Sequence, residues 1–139
     1  MSANAAPALT LGYVILYVQD VAASLAFYEK AFGLARRFFH NDNGKAYGEL
    51  DTGATRLSFV SLTLARENLH PAPVPAARSA PPQAVEIALV TPEVKAAYDH
   101  AVAAGALAVA APVAKPWGQI IAYVRDPDGH LVELCSPLP

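Results

Sequence analysis

Two glutamates in strand-like runs, Glu86 and Glu133, are the side chains of this sequence best suited to acid–base chemistry or to holding a cation. Glu133 lies between Val132 and Leu134, so strand alternation places its carboxylate on the face opposite to those two apolar side chains. Glu86 lies near the start of another apolar run. If Val132 and Leu134 face a helix layer, Glu133 faces a cavity, and Glu86 could face the same one; the alternative is a solvated position on a sheet face for Glu133 and an exposed strand end for Glu86.

Aromatic side chains in other runs could line the same cavity. Tyr13, Tyr47 and Tyr123 each fall in a strand-like run, although strand tyrosines more often pack with their hydroxyls toward solvent or backbone. Trp117 lies just before Gly118, where its indole could stack on a planar ligand or form a hydrophobic plug.

Known nucleophile and metal motifs are missing from the sequence. The histidines show no ligand spacing, and neither HExxH nor CxxC is present, which argues against a zinc site. His40 is the one histidine expected near the cavity, whereas His130 follows a turn and is expected to face solvent. Cys135 shares the predicted strand face of Glu133 and is expected to be a buried structural thiol. Ser24 has no triad partners.

The elements that position these residues occur twice. A strand runs into a helix that begins at Asp20 and ends at Gly33, and a second strand runs into a helix that begins at Pro92 and ends at Gly105. Each helix has an apolar face, formed by Val21, Leu25, Tyr28 and Phe32 in the first and by Val94, Tyr98 and Val102 in the second. The predicted strands are 11–19, 34–40, 45–51, 55–62, 84–90, 107–113, 119–126 and 131–136.

The two halves align with each other. Residues 13–21 match residues 86–94, and each stretch begins a strand that leads into a helix. Residues 63–83 contain five prolines, so we expect an irregular surface linker there. The sequence therefore predicts one domain over 1–139, with βαβββ modules at 11–62 and 84–136.

Composition limits the partners and the location. The net charge is -2 without a basic run, so nucleic acid is not an expected partner. The longest apolar stretch is broken by Gly105 and Pro112 and is too short to span a bilayer. No secretory signal is recognised, and with a single cysteine a cytoplasmic location is expected. Hydrophobic residues make up 54% of the chain, which favours a subunit interface.

Two motifs carry a resemblance to a known family. They are D-x-x-x-S-x-x-F-Y at 20–28 and D-P-D-G-x-x-x-E-L at 126–134, and they flank the repeat in that order. With them the chain resembles the vicinal oxygen chelate superfamily, which includes glyoxalase I, extradiol dioxygenases, and fosfomycin, bleomycin and mitomycin resistance proteins. The resemblance implies an α+β fold in which two βαβββ modules form an incompletely closed eight-stranded barrel around a cavity, usually in a homodimer. The WGQ at 117–119 is similar to mitomycin-type resistance sequences.

The resemblance also implies four inward positions on the first and fourth strands of each module. Matched position by position, they fall on Tyr13, Ser58, Glu86 and Glu133. Tyrosine and serine are poor ligands near neutral pH, so only the two glutamates could hold an ion such as magnesium, manganese, nickel or zinc. Without a cation, two carboxylates about 5 Å apart repel by about 3 kcal/mol at an effective dielectric of about 20. One would then have a raised pKa, or a basic group would neutralise the pair.

Three functions remain open. The first is a small-molecule-binding protein of the resistance type without an essential metal, its ligand contacting Tyr13, Tyr47, Ser58, Glu86, Trp117, Tyr123 and Glu133. The second is a glyoxalase-type lyase or isomerase in which Glu86 and Glu133 bind a metal and one acts as general base. The third is a metal-free enzyme with Glu133 as the acid or base. Dioxygenase chemistry is least expected, because the sequence lacks the His-His-carboxylate set.

Overall fold

The computed structural model describes residues 5–139 and shows two βαβββ modules joined by a short helix. The predicted α+β class with two modules is confirmed. The elements are β1 (Tyr13–Val18), α1 (Val21–Phe32), β2 (Ala35–Asp42), β3 (Lys45–Asp51), β4 (Arg56–Ser61), α2 (Leu62–Asn68), β5 (Glu86–Val90), α3 (Val94–Ala103), β6 (Leu107–Ala114), β7 (Ile120–Arg125) and β8 (Leu131–Cys135).

Each module forms its own four-stranded sheet with the same topology. The strand orders are β1-β4-β3-β2 and β5-β8-β7-β6, and the first and fourth strands of each module pair in parallel. The registers also correspond, with Tyr13 opposite Arg56 in the first sheet and Glu86 opposite Leu131 in the second. The two sheets are not closed into one barrel.

Helix α1 begins and ends where its capping residues require. The Asp20 side chain accepts a hydrogen bond from the Ala23 N–H at 3.1 Å, and Gly33 adopts the left-handed conformation that ends the helix. The helix packs so closely on β3 that a Cβ at Gly48 would lie 2.6 Å from Leu25 Cδ1. A side chain at position 48 would therefore displace the buried side chains of Leu25 and Val21, so glycine permits the close packing of α1 on the sheet.

The second helix only partly follows its predicted pattern. Val94 is buried and Tyr98 is half-buried, but Val102 is 36% exposed and the buried residue beside it is Ala101. The prediction for Val102 is therefore wrong, because α3 packs on α1 as well as on its own sheet and turns Ala101 instead of Val102 into the core. The buried apolar side chains of the two modules consequently form one continuous core.

The two sequence motifs meet in space and join the modules. Tyr28 Oη on α1 donates a hydrogen bond of 2.8 Å to Asp126 Oδ2, and Ser24 Oγ donates one of 3.2 Å to Asp128. The other oxygen of Asp126 accepts the N–H groups of Gly129 and His130. These motif residues thus fasten the first helix to the β7–β8 turn.

His130 also belongs to this junction. It is buried, and its Nε2 lies 3.1 Å from the carbonyl oxygen of Tyr17 at the end of β1. The expectation that it faces solvent is wrong, because the first module covers the turn that carries it.

The segment 63–83 is more ordered than its prolines suggest. Its first residues belong to α2, which the Ser61 side chain caps by accepting from the Leu64 N–H. The prediction of irregular structure is wrong over that part, since the prolines begin only at Pro71. Farther on, the guanidinium of Arg125 donates to the carbonyl oxygens of Ala77, Arg78 and Ala80 and so binds this segment to the second sheet.

No helix within residues 5–139 is both long and apolar enough to cross a membrane.

Candidate functional site

Each sheet has one face against the helical core and one face turned away from it, which we call the open face. In the first sheet, Leu16, Leu57 and Phe59 belong to the core. The alternating residues lie on the open face, and strand pairing brings Ser58 beside Ile15 and Glu49. The open face of the first sheet therefore carries Tyr13, Ile15, Tyr17, Phe38, His40, Tyr47, Glu49, Arg56 and Ser58.

Tyr47 and Ser58 form the centre of this first face. Tyr47 Oη donates to Ser58 Oγ at 3.2 Å, and the Phe38 ring centroid lies 6.1 Å from that of Tyr47. Burial raises the pKa of the Tyr47 hydroxyl, and the nearby carboxylate of Glu49 contributes. Ser58 is fully buried and Tyr13 is 53% exposed. The phenol thus remains protonated and acts as a hydrogen-bond donor near neutral pH.

In the second sheet, Val132 and Leu134 face the core and Glu133 lies on the other face of the sheet, as strand alternation predicts. Pairing places it beside Ala88 on β5 and Tyr123 on β7. Glu86, Tyr123 and Cys135 lie on the same open face, because each is an even number of residues away from a partner of Glu133 or from Glu133 itself.

Burial and the Glu133 carboxylate together shift the pKa values of the neighbouring groups on this second face. The pKa of Glu86 is raised, first by burial and then by the negative charge of Glu133. Burial and Glu133 also raise the pKa of Tyr123 and bring the pKa of the Cys135 thiol to about 11. The thiol is therefore not an activated nucleophile. Together these four side chains form an acidic cluster that favours a cation or a hydrogen-bond donor.

The predicted site residues thus fall into two groups. Tyr13, Tyr47 and Ser58 lie on one open face, whereas Glu86, Tyr123 and Glu133 lie on the other. The sheets of one chain do not close around both groups. Trp117 lies apart in the β6–β7 connection, where it is 54% exposed and its Nε1–H donates to Gln119 Oε1 at 2.9 Å.

Sequence reasoning did not identify Phe38, Glu49 and Arg56 as open-face residues. Phe38 reaches this face through a bulge between Arg36 and Phe38, which shifts the strand register. No sequence signal marks that bulge. Arg56 could have been found from its position two residues before Ser58.

The residues present do not fit a four-ligand metal site within one chain. Among residues 5–139, no three His, Cys, Asp or Glu side chains are grouped so that they could hold an ion. The remaining donors at the family positions are a phenol and an alcohol, which are weak ligands when protonated.

The comparisons with known proteins agree with this architecture. A family model described as Glyoxalase/Bleomycin resistance protein/Dioxygenase superfamily matches residues 10–134. The chain belongs to this superfamily. The family resemblance predicted from the two motifs is thereby confirmed. A comparison with curated protein sequences finds no significant match.

Solved structures of superfamily members share the fold. A glyoxalase-related enzyme from Fulvimarina pelagi is 25% identical, with a TM-score of 0.75 over 92% of this chain and 88% of that protein. A glyoxalase/bleomycin resistance protein/dioxygenase from Nocardioides is 21% identical, with a TM-score of 0.73 over 97% of this chain and 87% of the other. A lactoylglutathione lyase from Agrobacterium tumefaciens is 21% identical, with a TM-score of 0.67 over 94% and 96% of the two chains.

Proposed function

We propose that this superfamily member binds a small molecule, without an essential metal, in a cavity that forms between two copies of the chain. The observation that carries the proposal is the pair of open sheet faces, each of which bears three of the seven predicted site residues. Both faces expose apolar side chains, with Tyr13 at 53% and Val90 at 63%. Exposed apolar area of this kind is typical of a surface that another chain covers.

A second copy would complete the site if the first sheet of one chain faced the second sheet of its partner. Tyr13, Tyr47 and Ser58 would then lie across from the partner's equivalents of Glu86 and Glu133. Because the modules are alike, a two-fold axis would form two such cavities at once.

The ligand is inferred from the chemistry of the two faces. The acidic cluster favours a ligand with an amine or several hydrogen-bond donors, since such a group relieves the repulsion between Glu86 and Glu133. The tyrosine face and Trp117 offer aromatic surface for a planar portion of that ligand. Tyr13 and Ser58 are weak metal ligands when protonated, which supports binding without a metal.

The proposal is tested with EDTA-treated protein and a library of planar amines and neutral analogues in a thermal-shift screen, followed by calorimetry. Glu133→Gln is expected to weaken binding of amine ligands at least about tenfold, because it removes the charge that attracts them. Glu93→Gln is the matched control, since Glu93 lies exposed before α3 and its side chain makes no capping hydrogen bond. Binding that disappears on metal removal, or that Glu133→Gln leaves unchanged, would contradict the proposal.

A second candidate is acid–base catalysis of the glyoxalase type. The raised pKa of Glu86 beside Glu133 favours it, because two adjacent carboxyl groups with different proton affinities can serve as acid and base. The wild type would then convert a hemithioacetal of a dicarbonyl compound, with or without added divalent metal, and Glu133→Gln would not. Absence of turnover in the wild type under all these conditions would leave the binding function alone.

A further inference from the structure

A separate cavity of about 300 Å³ lies at the seam between the two modules. On one side it is bounded by β1, the start of β4 and the turn before it, and on the other side by β5. We call it the seam cavity and define it by the residues Val14, Arg56, Leu57, Glu86, Ile87 and Leu89. Its volume is at the lower end of the range found for small-molecule sites.

The apolar walls of the seam cavity differ from the open faces, although its two charged residues, Arg56 and Glu86, belong to the open-face side of their strands. Val14, Leu57, Ile87 and Leu89 alternate with the open-face residues and pack on or in the core. Glu133 is not among the lining residues. The cavity is therefore distinct from the acidic cluster and shares only Glu86 with it.

Arg56 is the positively charged side chain that lines the seam cavity. Its Nε is buried without a hydrogen-bond partner, and no carboxylate lies within 4.0 Å of its nitrogens, as far as residues 5–139 are concerned. The two threonines nearby use their hydroxyl protons within the protein, because Thr52 donates to the Thr55 carbonyl oxygen and Thr55 donates to that of Leu11. A buried donor without a partner is costly, so an acceptor from a ligand would be favourable.

Glu86 supplies the opposite charge on the other side of the same cavity. It forms no ion pair with Arg56 in the described chain. The cavity thus presents a guanidinium and a carboxylate that do not neutralise each other, with aliphatic side chains around them.

We propose that the seam cavity binds a small zwitterion with an aliphatic side chain, the chemistry of a free branched amino acid. The ligand carboxylate pairs with Arg56, its ammonium group pairs with Glu86, and its side chain contacts Leu57, Ile87 and Leu89. This site goes beyond the proposed function, because it lies within one chain and does not use Glu133.

The test uses L-leucine as the probe in calorimetry with the full chain. We expect one leucine per chain, and binding at least about tenfold weaker for isoamylamine, which lacks the carboxylate, and for isocaproate, which lacks the amine. Arg56→Gln and Glu86→Gln are each expected to reduce leucine affinity by a similar factor. Arg56→Lys keeps the charge and is expected to retain part of the affinity.

Two matched controls change the same residue types outside the seam cavity. Arg66→Gln changes an exposed arginine on α2, and Glu93→Gln changes an exposed glutamate before α3; both are expected to bind leucine like the wild type. No binding of leucine, equal binding of isocaproate, or full retention of binding in Arg56→Gln would overturn the inference. Loss of the amine ligands with leucine binding intact would count against the proposed function alone.

Discussion

At the scale of single residues, the pair Glu86 and Glu133 determines the chemistry of the second open face. Replacing Glu133 by glutamine removes one like charge, so we expect the pKa of Glu86 to fall toward its ordinary value while the effect of burial remains. A carbon-detected NMR titration of the glutamate carboxyl groups measures this change. Glu93→Gln should leave the Glu86 titration unaltered, and an unchanged Glu86 pKa in Glu133→Gln would show that the two carboxylates do not interact.

The raised pKa of Glu86 also determines how this residue makes the free energy of unfolding depend on pH. A carboxyl group whose pKa is higher in the folded than in the unfolded chain binds its proton more tightly when folded. Its favourable contribution to the free energy of unfolding is therefore present below the unfolded pKa and is lost as the pH rises through the folded pKa. Glu86 is solvent-exposed, so this contribution is small and is best followed by the titration itself.

At the scale of elements, the contact between Tyr28 and Asp126 fastens α1 to the β7–β8 turn. Tyr28→Phe removes the donor at 2.8 Å and leaves Asp126 Oδ2 buried without it. We expect the free energy of unfolding to fall by about 1–3 kcal/mol, measured by urea denaturation. Tyr98→Phe is the control, since the half-buried Tyr98 hydroxyl makes no hydrogen bond to another described residue; equal losses in both variants would contradict a specific role for the contact.

The elements were more predictable than their contacts. Helix caps act locally, so the roles of Asp20 and Gly33 at the ends of α1 could be predicted from the sequence. The burial of His130 depends on β1, which is distant in the sequence, and no local signal reports it. Strand alternation fixed the face of Glu133 within its sheet. It could not tell that Tyr13 and Ser58 lie on a different sheet face of the same chain.

At the scale of the whole molecule, the open faces predict a homodimer. Multi-angle light scattering at micromolar concentration is expected to give twice the chain mass of 14.6 kDa. Ile15→Glu, which places a charge on the first open face, is expected to shift the protein toward monomer, because a charge in an apolar interface is poorly solvated. Val102→Glu, on the exposed side of α3, serves as the control. A wild-type monomer would contradict the shared cavity but leave the seam cavity within each chain.

The segment around residue 78 is attached to the second module only, and this attachment determines whether one module could replace the other. A Cβ at Gly129 would lie 2.6 Å from the backbone of Ala77, whereas nothing lies within 4 Å of the same position at Gly53 in the corresponding turn of the first module. The two halves have thus specialised despite their common plan. A protein assembled from two first halves would have no segment that covers its β-turns as residues 77–80 cover the β7–β8 turn. A protein assembled from two second halves would need two copies of that segment, because each copy of Arg125 would require carbonyl oxygens as hydrogen-bond acceptors.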